Sequence, residues 1–498
     1  MRRGVRAGLV ALVVVAIGVL PGIARAAVGH LTFAGCVGDH HGCTATTPRK
    51  ALDGAASVAV SGHDLYVAAS GGNAVDHFRL PADGDPSFVG CVGDLSGCTH
   101  TVPAGALDGA DGVAVSGQNL YVTAGGGRDV SHLTLNTAGA PSFEGCVGDL
   151  TGCAATGSAD PFHAGAGLAA VHGRRLYVTS LLGVSDFTLD ADGDPTFGGC
   201  IGSASGCTAV DPSSALNGAA QMAFRGNDLY VAASFGSDVS RLRLAADGAP
   251  SFSGCIGVNA PCTSTNPGTA LAVAAGTAIG GNHLYATGTN NTADSGDVSE
   301  LSLDSAGIPG FVRCVGSRTG CSAIHPASAL DGAARLLDDG EDLYVATAHG
   351  IGHLRLGSTG APIFGGCIGD LSGCRPTTPA DVLDFAGGLA RSGQNLYVVS
   401  GGANTLSHLR IAGPTLAVAL AGSGTGHVKS APAGIACPAA CSHRYAVGTK
   451  VTLTATPAHG SKFAGWSGKC TGTGACHLVV STDRTVKATF KPSGHSAP

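Results

Sequence analysis

Seven cysteine pairs of identical spacing constrain this chain more than anything else in it. They are Cys36–Cys43, Cys91–Cys98, Cys146–Cys153, Cys200–Cys207, Cys255–Cys262, Cys314–Cys321 and Cys367–Cys374. A phenylalanine stands three residues before each first cysteine, from Phe33 to Phe364, and seven of the eight tyrosines follow a leucine in the same register, from Tyr66 to Tyr397. The period is 53 to 59 residues, the size of one supersecondary unit. Repetition at such a period fixes the architecture of the whole chain.

One unit reads as four short strands. In the second, Gly112–Ser116, Asn119–Ala124, Val130–Leu135 and Ser142–Val147 are rich in Val, Tyr, Phe and Leu, with Gly, Asn, Asp and Pro between them. Such runs are strand signals separated by turn chemistry. Charged residues make up 12%, hydrophobic residues 44%, and there are 80 glycines, which suits many strands on tight turns and argues against disorder. Four antiparallel strands repeated seven times predict an all-β fold, a seven-bladed β-propeller. His30–Val37 matches the fourth strand of a unit, whereas the seventh unit ends after three strands at Thr405–Ile411. The N-terminal strand is therefore expected to complete the last blade and remove an exposed edge.

The first residues read as a secretory leader, 1–26: Arg2, Arg3 and Arg6, an apolar core from Gly8 to Leu20, and a small-x-small site at Ala24-Arg25-Ala26. That core is shorter than the about 20 residues of a membrane span. Secretion, or retention at the cell envelope by non-covalent contacts, is the expectation. In an oxidising compartment an even cysteine count at fixed spacing means disulfides. The rival reading, zinc, fits poorly because CxxxxxxC is too wide for a knuckle and lacks paired histidines. Each eight-residue loop adds at most about 2.5 kcal/mol on the chain-entropy account. The pairs fall on the crossovers between blades, so one face should carry a stapled crown of seven loops. Loops on a rigid scaffold are where function concentrates.

The repeats stop at 412, with 413–414 as linker. Residues 415–491 form a second module with Cys437, Cys441, Cys470, Cys476 and the single tryptophan, Trp466, and 492–498 read as a disordered tail. Cys437–Cys441 and Cys470–Cys476 are the local pairings expected, although four cysteines allow three connectivities. Lys450–Thr456 and Thr485–Lys491 alternate as half-buried strands. The order Gly448-Thr-Lys-Val-Thr-Leu-Thr-Ala-Thr-Pro457, Phe463-Ala-Gly-Trp-Ser-Gly468 and Val486-Lys-Ala-Thr-Phe490 resembles the InlB-type B-repeat domains of bacteria. That resemblance implies a small β-rich unit of surface proteins with a spacer or adhesion role. Repeat phrases such as Leu107-Asp-Gly-Ala, Val113-Ala-Val-Ser-Gly and Leu120-Tyr-Val resemble secreted bacterial lactonase-like propellers. They are scaffold positions and imply the fold; no residues match a lactonase catalytic motif, and fold alone does not imply activity.

Candidate site residues follow from the repeat. Nine residues before the glycine ending each first strand stand Asp53, Asp108, Ala164, Asn217, Ala272, Asp331 and Asp384. Carboxylates around one channel mouth could attract a cation or a polar ligand; the plainer account is an Asp-Gly or Asn-Gly turn. Arg335, Asp338 and Arg391, with Gln221, are the polar exceptions in first strands, so they are the channel candidates for catalysis, and Asp338 and Arg391 are placed to pair across blades. Asp83-Gly-Asp85 and Asp192-Gly-Asp194 lack the EF-hand pattern and read as hairpin turns. His77, His132 and His408 are expected on exposed strand faces.

No cofactor or metal is called for. A net charge of −6 gives no basic face, so nucleic acid is not an expected partner. The reading is a monomeric binding or surface-interaction protein for an extracellular glycan, cell-wall polymer or protein. The alternative is a lactonase-like hydrolase working in the channel.

Overall fold

The computed structural model describes residues 31–163, 165–289, 295–445, 448–480 and 483–493. The leader lies outside them, as does Ala164. The described residues form nine four-stranded sheets, seven of them from the repeats, and no α-helix. In the second repeat the strands are Ala110–Ser116, Asn119–Ala124, Asp129–Leu135 and Pro141–Gly148, paired antiparallel in chain order. The first two meet at Gly117, where φ is +60° and a side chain would be strained. This is a β-propeller-like arrangement.

First strands pack on one another in sequence order, from Ala55–Ser61 on Ala110–Ser116 onward, and Ala386–Ser392 of the last repeat packs on Ala55–Ser61 of the first. The last repeat takes its fourth strand from the start of the chain: Leu31–Gly38 pairs with Thr405–Ile411, Leu31 opposite Ile411 and Gly38 opposite Thr405. The apolar core is divided among the gaps between sheets. One cluster joins Tyr66 and Val75 of the first sheet to Leu107, Val113 and Leu120 of the second.

The seven tyrosines lie at the centre of these gaps, fully buried. Six donate across the gap to a glycine carbonyl in the turn between third and fourth strands of a neighbouring sheet. Tyr66 Oη bonds Gly139 O at 2.7 Å, Tyr121 bonds Gly193 at 2.8 Å, and Tyr177 bonds Gly248 at 2.6 Å. Tyr230 bonds Gly307 at 2.6 Å, Tyr285 bonds Gly360 at 2.7 Å, and Tyr397 of the last repeat bonds Gly84 of the first at 2.8 Å. The turn needs glycine because its Cα abuts the neighbouring sheet. A Cβ on Gly139 would fall 2.3 Å from Asp64 Cγ.

Beside each tyrosine lies a buried polar pair, and here the structure corrects the sequence reading of the histidines. His77, His132 and His408 are buried, at 1%, 2% and 0% exposure, not displayed on an outer face. Each stacks on the tyrosine opposite it in the ladder. His77 Nε2 meets Asp64 at 2.7 Å, while His132 and His408 meet Asn119 and Asn395 at 2.8 Å and reach Asp194 and Asp85 of the adjacent sheet through Nδ1. The same two positions hold Arg175 with Asp186, Asp228 with Arg241, His283 with Glu300, and Asp342 with His353. Every combination is complementary, as burial of a polar group requires. The second aspartate of each Asp-Gly-Asp turn, Asp85 and Asp194, thus serves these pairs.

The seventh gap is different. The last repeat borrows its fourth strand, so it has no turn after Thr405–Ile411 to receive Tyr344. Tyr344 Oη instead lies 3.4 Å from Asp339 Oδ2, and Arg391 of the last sheet binds the same oxygen at 2.6 Å. An ionic link replaces the tyrosine–glycine bond. The chain leaves the last sheet at this point and enters the second module. Its eight strands form two sheets, one containing Thr415–Ala421, Ser442–Arg444, Ser461–Gly468 and Arg484–Pro492, around Leu416, Val451, Leu453, Trp466 and Phe490.

Three outcomes are expected. Tyr230→Phe should lose about 1–3 kcal/mol in denaturant unfolding, because Gly307 O is left buried without a donor. Tyr344→Phe, whose bond is long and whose partner keeps Arg391, should lose less. Deleting Leu31–Gly38 should expose the Thr405–Ile411 edge and lower the melting temperature or cause aggregation; a truncated chain melting like the parent would contradict this.

Candidate functional site

The face carrying the crossovers is covalently stapled. All seven CxxxxxxC pairs are bonded within themselves, with Cα–Cα separations of 4.7–4.9 Å, and Cys437–Cys441 and Cys470–Cys476 close the second module. The loops are also tied by carboxylates: Asp39, Asp94 and Asp370 accept the N–H of Lys50, Gly105 and Asp381, each eleven residues on. Large apolar side chains stand exposed here beside the first strands, Phe235 at 68% and Phe385 at 66%, with Leu181 next to Gly218.

The predicted ring of polar residues lies at this end, and most of its members act through their backbone. The carbonyls of Asp53, Asp108 and Asn217 each accept two N–H groups from the turn between second and third strands, and Asp331 O accepts Ala348 N–H. Asn217 and Asp331 side chains accept the hydroxyls of Ser203 and Ser317. These are turn-forming contacts. Only Asp384 joins other acids: its carboxylate, with Asp370 and Asp381, places oxygens within 4.8 Å of one another. Burial and Asp381 hold the Asp384 carboxyl above its ordinary range. Asp370 is also raised, by burial first.

In the channel, Gln221 decides the geometry. Its side-chain amide spans from the fourth to the sixth sheet, donating to Leu336 O at 2.7 Å and accepting Leu336 N–H at 2.9 Å. Thr277 N–H of the fifth sheet reaches the same oxygen at 3.3 Å. Gln221 and Arg335 line a cavity of about 90 Å³. Burial lowers the Arg335 pKa, and the charge that opposes this is Asp111, on the first strand of the second sheet. The sequence reading missed Asp111, although it is the one acidic residue inside the Ala110–Ser116 strand.

Asp338 and Arg391 do not join Arg335. Arg391 pairs with Asp339 and not with Asp338, whose Oδ1 accepts Gly340 N–H at 3.1 Å in the turn that follows. Burial raises the Asp338 carboxyl to about 6. Arg391 lines a cleft of about 720 Å³ on the face opposite the crown, with Asp83, Arg410, Gly413 and Arg444. Its arginines are already engaged: Arg410 with Asp83 O and Arg444 with Gly413 O.

The comparisons with known proteins divide in the same way as the chain. Residues 423–494 match the divergent InlB B-repeat domain. Thr415–Ala421, which precedes the matched residues, pairs with Arg484–Pro492 within them. No curated protein matches the chain in sequence. Similar solved structures include a proposed 6-phosphogluconolactonase from Bacteroides uniformis, at 15% identity, TM-score 0.43, covering 61% of this chain and 81% of that one. The periplasmic gluconolactonase of Pseudomonas aeruginosa shows 13% identity, TM-score 0.43, over 66% and 86%. A protein from Lactobacillus plantarum shows 12% identity, TM-score 0.46, over 65% and 86%. Likeness of this size carries no chemistry from those proteins to this chain. No helix among the described residues is long and apolar enough to cross a membrane.

Buried carboxylates, Asp129 and Asp238 among them, contribute a pH dependence. Asp129 and Asp238 begin third strands, are inaccessible to solvent, and keep one oxygen each without a hydrogen-bond partner. Burial raises both to about 8, against the serine hydroxyls of Ser131 and Ser240 that lower them. The folded chain therefore holds protons that the unfolded chain releases above about pH 4, so stability falls as pH rises toward 8. His408, lowered by burial, titrates in the opposite sense. The comparison belongs above about pH 7, where an ordinary His has already lost its proton. There an Asp129→Asn/Asp238→Asn variant should show a flatter fall of unfolding free energy with pH than the parent. Identical slopes would contradict the assignment.

Proposed function

We propose that this is a secreted, monomeric binding protein: a seven-bladed β-propeller closed by its N-terminal strand, carrying a B-repeat module and recognising an extracellular ligand through its stapled crown. The leader at 1–26 and the full use of eighteen cysteines in disulfides support export. Closure is supported by the pairing of Leu31–Gly38 with Thr405–Ile411 and by the packing of last first-strand on first. The observation that carries the binding reading is the exposure, at the stapled end of the sheets, of Phe235 in the turn between Asp228–Ala233 and Asp238–Leu244 and of Phe385 in the crossover that follows Cys367–Cys374. Exposed aromatic side chains on loops of a rigid scaffold are candidate ligand contacts. Glycan, cell-wall polymer or protein are the ligand classes that suit such a face.

The competing reading, a lactonase-like hydrolase in the channel, would use Arg335, Asp338 and Arg391. Those three do not converge: the cavity that Arg335 lines, about 90 Å³, is far below the about 300–1,000 Å³ of small-molecule sites, and the cleft of about 720 Å³ that Arg391 lines holds neither Arg335 nor Asp338. A panel of glycans, cell-wall fractions and lactones, screened against the mature chain and Phe235→Ser/Phe385→Ser, separates the two. Binding that the double variant weakens at least roughly tenfold, about 1.4 kcal/mol, is expected. Lactone turnover that survives in the double variant and is lost in Arg335→Gln would overturn the reading in favour of the hydrolase.

A further inference from the structure

The net charge of −6 conceals a division. Between Thr415 and Ser493 eight lysines and arginines stand against one acidic residue, Asp483, and glutamate is absent. The repeats are correspondingly more acidic than the whole chain. Asp483 is itself engaged, its Oδ1 accepting the N–H of Thr415 at 2.7 Å. The expectation of a chain without a basic face, drawn from the charge of the whole chain, does not hold for the B-repeat module.

The lysines are arranged by the strand ladder. Lys462 and Lys491 are directly opposed between Ser461–Gly468 and Arg484–Pro492. Both are exposed, as is Lys487, two pleats along the same strand on the same face. Directly opposed side chains lie about 5 Å apart at Cβ, and like charges there are destabilising. Lys487 stands about 13 Å farther along. None of the three has a carboxylate within 4.0 Å among the described residues. Thr489 lies between Lys487 and Lys491, Ser467 and Ala419 flank Lys487 on the two neighbouring strands, and among the described residues no exposed Phe, Tyr or Trp stands on these strands.

We infer that this face of the B-repeat module binds an acidic polysaccharide, the lysines meeting uronate carboxylates and the serine and threonine hydroxyls meeting sugar hydroxyls. Opposed lysines that repel in the free protein are relieved when an anionic chain lies along them. Lysine suits the task as a mobile point charge, whereas rigid, bidentate phosphate recognition favours arginine. The missing aromatics disfavour single-stranded nucleic acid, which binds through stacked bases. The acidic repeats would repel the same polymer, so it is steered to the C-terminal end of the molecule.

The test is affinity electrophoresis and calorimetry of the mature full-length chain with alginate, beside neutral dextran and duplex DNA at equal total charge concentration. Alginate should bind and dextran should not, with affinity falling steeply between about 50 and about 300 mM salt. Lys462→Gln/Lys487→Gln/Lys491→Gln should lose roughly tenfold or more, about 1.4 kcal/mol. A triple variant that melts like the parent while losing the ligand confirms that folding is not the cause. Phe235→Ser/Phe385→Ser should bind alginate like the parent, which keeps this result separate from the crown. Equal binding of dextran, or no loss in the lysine variant, would overturn the inference. DNA bound as tightly as alginate would overturn the polysaccharide assignment.

Discussion

A single hydrogen bond, from a buried tyrosine hydroxyl to a turn glycine in the adjacent sheet, organises the repeats. It is made six times, at 2.6–2.8 Å, and each instance joins two sheets that share no backbone ladder. A tyrosine buried in an apolar gap must find an acceptor for its hydroxyl. The acceptor turn must be glycine because it sits against the polar pair of the sheet that sends the tyrosine. One requirement thus determines the tyrosine, the glycine and the complementary pair beside them. Their chemistry varies while the requirement does not: His with Asp, His with Asn, Arg with Asp, His with Glu.

Borrowing the N-terminal strand fills the last sheet but leaves it without the turn. The consequence is local and traceable. Tyr344 turns to Asp339, Arg391 of the last sheet joins it, and the departing chain passes from Ile411 through Gly413 into the B-repeat module. The cleft on this face lies at the gap between the last and first repeats, lined by Tyr397 and by the Asp83-Gly84 turn. Its arginines, Arg391, Arg410 and Arg444, are engaged by Asp339, Asp83 O and Gly413 O, which is why the stapled face, built alike in every repeat, is the better candidate for recognition.

Much of this was legible in the sequence, and the failures have physical reasons. Cysteine spacing, the Leu-Tyr register and the incomplete unit at each end carried the sheets, their order and the local disulfides, because each is a short-range pattern. The histidines were misread because strand alternation alone does not say which face is covered; their recurrence opposite Tyr, always with a hydrogen-bonding residue before Leu-Tyr, was the available signal. Asp338 was preferred to Asp339 because the strand end could not be placed to one residue. Asp111 was overlooked inside an otherwise apolar strand. The basic module was hidden by averaging charge over two units of opposite sign.

Hydrogen exchange followed by mass spectrometry on the mature chain tests the central claim most directly. If inter-sheet tyrosine bonds hold the array together, the gap that lacks one should open first. Peptides covering Asp339–Tyr344 and Arg391–Asn395 should lose protection before the matching peptides of the other repeats, such as Gly226–Tyr230 and Gly281–Tyr285. Equal protection in all seven gaps, or first opening at a gap whose tyrosine is bonded, would contradict the account.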